Sequence, residues 1–380
     1  MQVCQMTWNE NSGWLGAHDD AAQLVIYFGA RETLSNATRF SELKSMFPKS
    51  HLVGCSTGGQ ISGDDVSDHQ IAAVAMHFDA TQLRLALEPV AAPEASRSAG
   101  EALGRKLKAD DLAGIFILSD GLNVNGSELV AGIAQVVGAK VPLTGGLAGD
   151  GPNFIETLVG ADCAPRSHTV AAIGFYGDAV RIGHGSAGGW DVFGPHRSIT
   201  KSAGNVLFEL DGEPALDLYE RYLGEEESKG LPGTALLFPL QIHDPKCKDE
   251  VVRTVLAIDR GARSMTFAGD VPQGWVAQLM RGNFDHLAQG AASAARSAQT
   301  MIGEHGGNNG VALMVSCIGR RLLMGQSITD EIEVAGKELG PRLVRIGFYS
   351  YGEISPHISS GACGLHNQTM TVTTITEAAA

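Results

Sequence analysis

Basic charge is scarce in this sequence. Lys and Arg total 28 against 42 Asp and Glu, a formal net charge of −14 at pH 7. Nucleic-acid binding draws much of its affinity from cations that neutralise phosphates, so a broad nucleic-acid surface is excluded. Long apolar runs are missing as well. The longest span five to eight residues, far short of the roughly 20 that a membrane-crossing helix needs. The six cysteines stand at 4, 55, 163, 247, 317 and 363 without a C-x-x-C pair, which argues against a zinc ribbon and a disulfide framework. The first residues lack the charged start, apolar stretch and small-residue cleavage site of an export signal. A soluble, reduced, cytoplasmic protein is expected, with no membrane and no nucleic acid among its partners.

What is present is core-forming material and punctuation. Of 380 residues, 44% are hydrophobic and 18% charged, enough to bury more than one core. The 48 glycines cluster at the ends of apolar runs, marking tight turns between short elements. The acidic stretch "GEEESKG" (224–230) reads as a flexible loop.

Laid in order, the apolar runs repeat a unit. "QLVIYFGA" (23–30) reads as a strand, Thr38 to Met46 as a helix, "HLVGCSTGGQI" (51–61) as a strand and turn, and "IAAVAMHF" (71–78) as a returning strand. A second copy runs through "AGIFILSDG" (113–121), "SELVAGIAQVVG" (127–138), "VPLTGGLAGDG" (141–151) and "TVAAIGFYG" (169–177). Val25 to Val53 is 28 residues and Ile115 to Val141 is 26, so order and spacing agree. A looser third unit comprises "GVALMVSCIGRR" (310–321), a helix near Thr329 to Leu339, "LVRIGFYSYGEI" (343–354) and "QTMTVTTIT" (368–376). Strand-like runs at 234–242, 250–259 and 264–271, and a helix from about Trp275 to Ile302, fill the interval. The periodic helix within 213–226 followed by the acidic loop marks a junction between Gly212 and Gly233. The expected fold is a mixed α/β (α+β) architecture in two modules, 20–212 with two internal repeats and 213–380.

The Gly-rich turns raise the question of a phosphate cradle. Neither copy contains the lysine of a P-loop, and neither shows the three-glycine spacing that opens a dinucleotide-binding helix. Two readings stay open: a strand-ending turn that needs positive φ at glycine, or a turn whose hydroxyls and amides touch a small polar ligand. Cys317, with Arg320 and Arg321 just beyond it, is either a thiolate of lowered pKa or small core filler. On a strand, Tyr349, Tyr351 and Glu353 would share one face.

Together, "HLVGCSTGGQI", "VPLTGGLAGDG", "VSCIGRR", "GFYSYGEISP" and "LHNQTMT" resemble the FIST family of bacterial sensory proteins, in order from about Ala22 to Thr376. The resemblance implies a ligand-sensing signal-transduction protein that is not itself an enzyme. It carries no kinase, GGDEF-like or methyl-accepting segment, so its output would pass to a separate histidine kinase or cyclic-di-GMP enzyme. Motif-matched positions are Cys55, Thr57, Gly58, Gly59, Thr144, Gly145, Gly146, Cys317, Arg320, Tyr351, Gly352 and Glu353. A subset of the family binds haem and senses nitric oxide. In this chain the candidate axial ligands of a non-covalent haem are His366 and His243. The rivals are a sensor of an amino acid or other small metabolite, and a cysteine-dependent enzyme built on Cys317.

Overall fold

The computed structural model describes residues 1–247, 249–303 and 309–378. Three sheets of six strands and one of eight organise it. Each of the three repeated units contributes four strands to one sheet, in the spatial order third, second, fourth, first. In the first unit these are Gln2–Asn9, Leu24–Gly29, His51–Ser56 and Ile71–His77. In the second they are Gln82–Pro89, Leu112–Ser119, Leu143–Leu147 and Thr169–Tyr176. In the third they are Val180–Ala187, Gly310–Cys317, Leu343–Ser350 and Met370–Glu377. The second and third strands of each unit are parallel and joined through a helix, as a crossover connection requires.

The turn after each parallel pair does not stay at home. Gln60–Ser62 pairs with Leu343–Ser350, Val159–Ala161 with His51–Ser56, and Gly352–Pro356 with Leu143–Leu147. Each unit thus lends a strand to another unit's sheet, and the three exchanges close a ring. The exchange covers the edge of each unit's third strand, which lessens a hazard for self-association there.

Local sequence explains the helices. Asn36 accepts a hydrogen bond from Thr38 N before helix Ala37–Met46, Asn125 from Glu128 N before Gly126–Val137, and Asn283 from His286 N before Phe284–Ile302. Such a cap is worth about 1 kcal/mol against alanine. The last case corrects the helix expected from Trp275. Val276–Arg281 is a strand, and the helix starts only where Gly282 breaks the chain and Asn283 can cap it. "GEEESKG" contains a short exposed helix, Glu225–Lys229, rather than a structureless loop.

One core lies between the three sheets, where Phe28, Phe116, Leu118, Val315 and Phe348 are buried together. Phe28 and Phe348, from the first and third units, pack as a tilted pair with centroids 4.7 Å apart. Burial of each such ring stabilises by roughly 1.5–3 kcal/mol, so the units are held by their shared core as well as by exchanged strands. The third unit is interrupted between Val180–Ala187 and Phe284–Ile302 by an inserted domain, residues 191–281. It has its own core around Leu216, Tyr219, Leu240 and Phe267. The junction expected at 212/213 falls inside this insert, between Val206–Leu210 and Ala215–Leu223. Among the described residues no helix is long and apolar enough to cross a membrane.

Candidate functional site

The three exchanged turns meet at one point. Gly149 N donates to Ser56 O at 3.0 Å, Tyr351 N to Leu147 O at 3.1 Å, and Gly58 N to Tyr349 O at 2.7 Å. Donors and acceptors occupy matching places in the three units, so the hydrogen bonds run in a circle. This register fixes which residues correspond. Ser56, Leu147 and Tyr349 are counterparts, because each pairs with the residue of its unit's second strand that in turn opposes the start of the fourth: Gly29 (facing Ile71), Ser119 (facing Val170) and Ser316 (facing Met370).

The two Thr-Gly-Gly stretches are therefore not counterparts. Thr57 matches Ala148, while Thr144 sits four residues earlier, at the place that Val53 holds in the first unit. Thr144, Gly145 and Gly146 lie within the strand Leu143–Leu147 and are buried there. Gly145 matches Gly54 and Gly347. A Cβ at these positions would stand 2.0 Å from Ile117 O, 2.5 Å from Tyr27 O and 1.8 Å from Met314 O. These glycines let the parallel strands pass.

Several motif residues prove to be joinery. Cys55 is wholly buried among Val53, Ala72 and Val159, and burial pushes its thiol well above the ordinary range. Thr57 donates to Gly29 O and accepts from Gly59 N, both at 3.3 Å. At Gly59 the missing side chain makes room for Arg321, which donates to Gly58 O and grips Asp68 at 2.6 and 2.8 Å. Arg320 is fully enclosed. It pairs with Glu331 at 2.9 and 2.7 Å, and Glu331 also accepts from Ser316 Oγ and Tyr349 Oη. Tyr349, Tyr351 and Glu353 do not share a strand face, because the chain breaks at Tyr351 between two strands of different sheets.

Where the second and third units meet the insert, a cavity of about 80 Å³ opens beside this ring. The second unit supplies Gly121, Leu122, Val124, Leu147 and Phe154. The third supplies Cys317, Ile318, Gly319, Leu322 and Tyr351, and the insert supplies Leu236, Thr254, Leu256 and Ala268. Phe154 comes from a loop, residues 150–157, that lengthens the second unit's turn beyond those of its two counterparts. The loop is shaped by Asp150, whose carboxylate accepts from the amides of Phe154, Ile155 and Glu156 at 2.9–3.0 Å and from the Tyr351 hydroxyl. It stacks Phe154 on Tyr351, with centroids 4.5 Å apart. Phe154, Leu256 and Leu322 stay 43–45% exposed around the mouth. Such an apolar rim is a common mark of a binding site.

Cys317 and Tyr351 are thus the two motif residues that line the cavity. Glu353 lies behind it, buried, accepting from Ser350 Oγ at 2.7 Å and from Thr369 N and Oγ1 at 3.1 and 2.9 Å. Gly352 abuts Leu365. Burial raises the Cys317 thiol, and nearby Glu353 adds to the rise; the Arg320 guanidinium opposes it only weakly. The lowered-pKa thiolate is corrected accordingly: both arginines are already neutralised by carboxylates. Iodoacetamide at pH 7.5 is expected to alkylate exposed Cys247 at least tenfold faster than Cys317. Peptide mass spectrometry measures this, and equal rates would refute the burial argument.

Desolvation lifts the Glu353 carboxyl to about 8. Its protonated form is favoured in the folded state. That stabilisation is complete below about pH 4.5 and is lost as pH rises through about 8. Glu353→Gln, which copies the buried Gln60 at the matching place in the first unit, is expected to remove a slope of roughly 1 kcal/mol per pH unit between pH 5 and 8. Urea unfolding of both proteins at several pH values measures it, and parallel profiles would contradict it.

His366 is buried with Nε2 3.0 Å from Ser355 O and its ring 4.5 Å from that of His357. Burial holds it neutral, near 3. His243 lies in the insert's sheet, half-buried, with its ring 6.0 Å from that of His196. No group of three or more His, Cys, Asp or Glu among the described residues is placed to hold a metal ion.

Reading the sequence alone did not single out Asp150, Thr254, Asn367 or Gln368. The quoted motif "LHNQTMT" carried a signal for the last two: adjacent amides, between His366 and Thr369, with no glycine among them to suggest a turn.

Comparison with known families matches the FIST N domain to residues 23–213 and the FIST C domain to 215–356. A protein of Methanocaldococcus jannaschii described as uncharacterised is 26% identical over 225 residues, covering 53% of this chain. The chain matches 40% of the length of that relative. Among solved structures, a chorismatase covers 99% of this chain and 98% of its own at 10% identity and a TM-score of 0.36. A cyanuric acid hydrolase from A. caulinodans covers 95% and 91% at 9% identity and the same TM-score, 0.36.

Proposed function

The chain belongs to the FIST family, and from that premise we propose that it senses a small molecule bound in the cavity between its second unit, third unit and insert. The observation that carries this is the cavity's threefold ownership: one side comes from each module's sheet and one from a domain with a separate core. At about 80 Å³ the cavity is smaller than the roughly 300–1,000 Å³ of common ligand sites. A ligand therefore enters by pushing outward the side that is least tied down. We assign that role to the insert, linked to the units by Asn125 to Asp270 at 3.2 Å, by Arg253 to Leu365 O at 3.2 Å, and farther off by Ser359 and Ser360 to Asp249 and His286 to Asp191. Occupancy becomes a displacement of the insert, which a separate histidine kinase or cyclic-di-GMP enzyme can read. Such coupling needs only differential affinity for two positions of the insert.

A haem form of this sensor does not fit the side chains. The Nε2 of His366 is turned to a backbone carbonyl, and His243 lies outside the cavity's lining. A cysteine-dependent enzyme is disfavoured because Cys317 is held as a thiol and the cavity supplies no imidazole to take its proton.

Thermal-shift screening with small metabolites tests the proposal. A ligand at 100 times its dissociation constant stabilises by roughly 2.7 kcal/mol. Ala268→Trp, which fills the cavity from the insert side, is expected to abolish that stabilisation while leaving the unliganded protein folded. A hit that binds Ala268→Trp equally well would place the site elsewhere.

A further inference from the structure

Three polar side chains have no partner among the described residues: one lines this cavity, and two are packed behind residues that line it. The hydroxyl of Thr254, a lining residue from the insert, makes no hydrogen bond although the residue is 95% buried. Both polar atoms of the Gln368 amide and both of the Asn367 amide are likewise unpartnered, with each residue fully buried. The Gln368 amide occupies the space a side chain at Gly319 would fill, its Nε2 2.6 Å from that Cβ position. Gly319 lines the cavity, so a residue without a side chain is all that Gly319 places between cavity and amide. Asn367 Nδ2 stands 3.6 Å from the corresponding point at Gly352, beside cavity-lining Leu147.

Leaving a buried donor or acceptor unsatisfied costs about 1–3 kcal/mol. In the other units the matching positions face solvent. The first unit's counterpart of Asn367 is Asp68, exposed and paired with Arg321. The counterpart of Gln368 in the second unit is His168, at φ 56° as Gln368 is at 60°, and it too is exposed. Only in the third unit are the side chains of this turn enclosed and without partners.

Charge decides what they await. Arg320 is matched by Glu331 and Arg321 by Asp68. Arg253, next to Thr254, gives its Nε and Nη1 to the carbonyls of Asp270, Val252 and Leu365 and does not line the cavity. No lining residue is acidic or basic. An ionised ligand would leave water without a counter-charge, which is strongly unfavourable. Amides offer donor and acceptor side by side and are best met by a group that does the same.

Resting on the sensor reading above, we infer that the ligand is an uncharged small molecule with an aliphatic body and a carboxamide-type edge, held by Thr254 and by the amides of Gln368 and Asn367. The leucines at 122, 147, 236, 256 and 322 take the body.

Thermal-shift and calorimetric titration with isovaleramide, isovalerate and isoamylamine tests this on the whole protein. Isovaleramide is expected to raise the melting temperature and to bind at least tenfold tighter than either charged analogue. Thr254→Val, which keeps the shape, and Gln368→Leu are each expected to weaken isovaleramide about tenfold. Thr254→Val keeps the test open should Gln368→Leu not fold. Equal or tighter binding of a charged analogue, blocked by Ala268→Trp, overturns the inference and leaves the sensor reading standing. Undiminished isovaleramide binding by Thr254→Val overturns the polar assignment. No shift with any of the three overturns inference and cavity assignment together.

Discussion

Gly347→Ala is expected to yield no soluble folded protein. A Cβ there would stand 1.8 Å from Met314 O and 2.7 Å from the carbonyl carbon behind it. Both atoms are backbone in the neighbouring parallel strand, so no rotamer change relieves the clash. Gly145→Ala is expected to behave alike, since Ile117 O lies 2.0 Å away and φ is +129°. Separating the parallel pair would break the core between the three sheets, a loss well beyond the roughly 4–5 kcal/mol that marks exceptional single substitutions. Gly63→Ala is the control. It has φ +64° but nothing within 4 Å, and about 1 kcal/mol is expected there. Soluble yield, size-exclusion profile and urea midpoint separate the three variants. A Gly145→Ala protein within 1 kcal/mol of the parent would show that the glycine serves the turn's chemistry and not the strand's passage.

The second large effect lies at the buried pair of Arg320 and Glu331, whose side chains are both 0% exposed. Glu331→Leu leaves a guanidinium enclosed with carbonyls alone, and about 3–5 kcal/mol of stability is expected to go. Arg320→Met together with Glu331→Leu is expected to recover most of it, because an apolar pair of similar volume carries no desolvation penalty. Urea unfolding of the two single variants and the double gives the coupling energy. Additive losses would mean that the arginine's bonds to Gly188 O and Leu287 O dominate and the ion pair matters little.

Much of the fold was legible because β-branched runs and capped helices announce themselves locally. "LVIYF" and "GIFIL" are fully buried strands bounded by Gly and polar residues, and Asn36 and Asn125 cap the helices that follow. The exchange of strands was not legible. Gln60–Ser62 and Gly352–Pro356 carry no mark of which sheet they join, since their partners lie more than 200 residues away or in another unit. The repeated Thr-Gly-Gly misled for a physical reason: glycine answers two separate demands in this fold, and identity of letters concealed a shift of four residues. At Gly58 three turns converge; at Gly145 two strands pass. The third unit seemed loose because its first strand, Val180–Ala187, is cut from the rest by the insert. Of the site, Cys317 and Tyr351 were found through motifs. Thr254 was invisible because the insert shares no repeat with the units it covers. Asn367 and Gln368 stood in a quoted motif, but only burial without partners distinguishes a waiting amide from an ordinary turn.

The crystal structure of the protein soaked with isovaleramide tests the central claim most directly. The account predicts density between Tyr351, Leu256 and Ala268, with the amide within hydrogen-bond reach of Thr254 Oγ1 or Gln368 and the insert displaced outward. Density lodged instead in the open groove beside Trp190 and His357, with the cavity and insert unchanged, would contradict it.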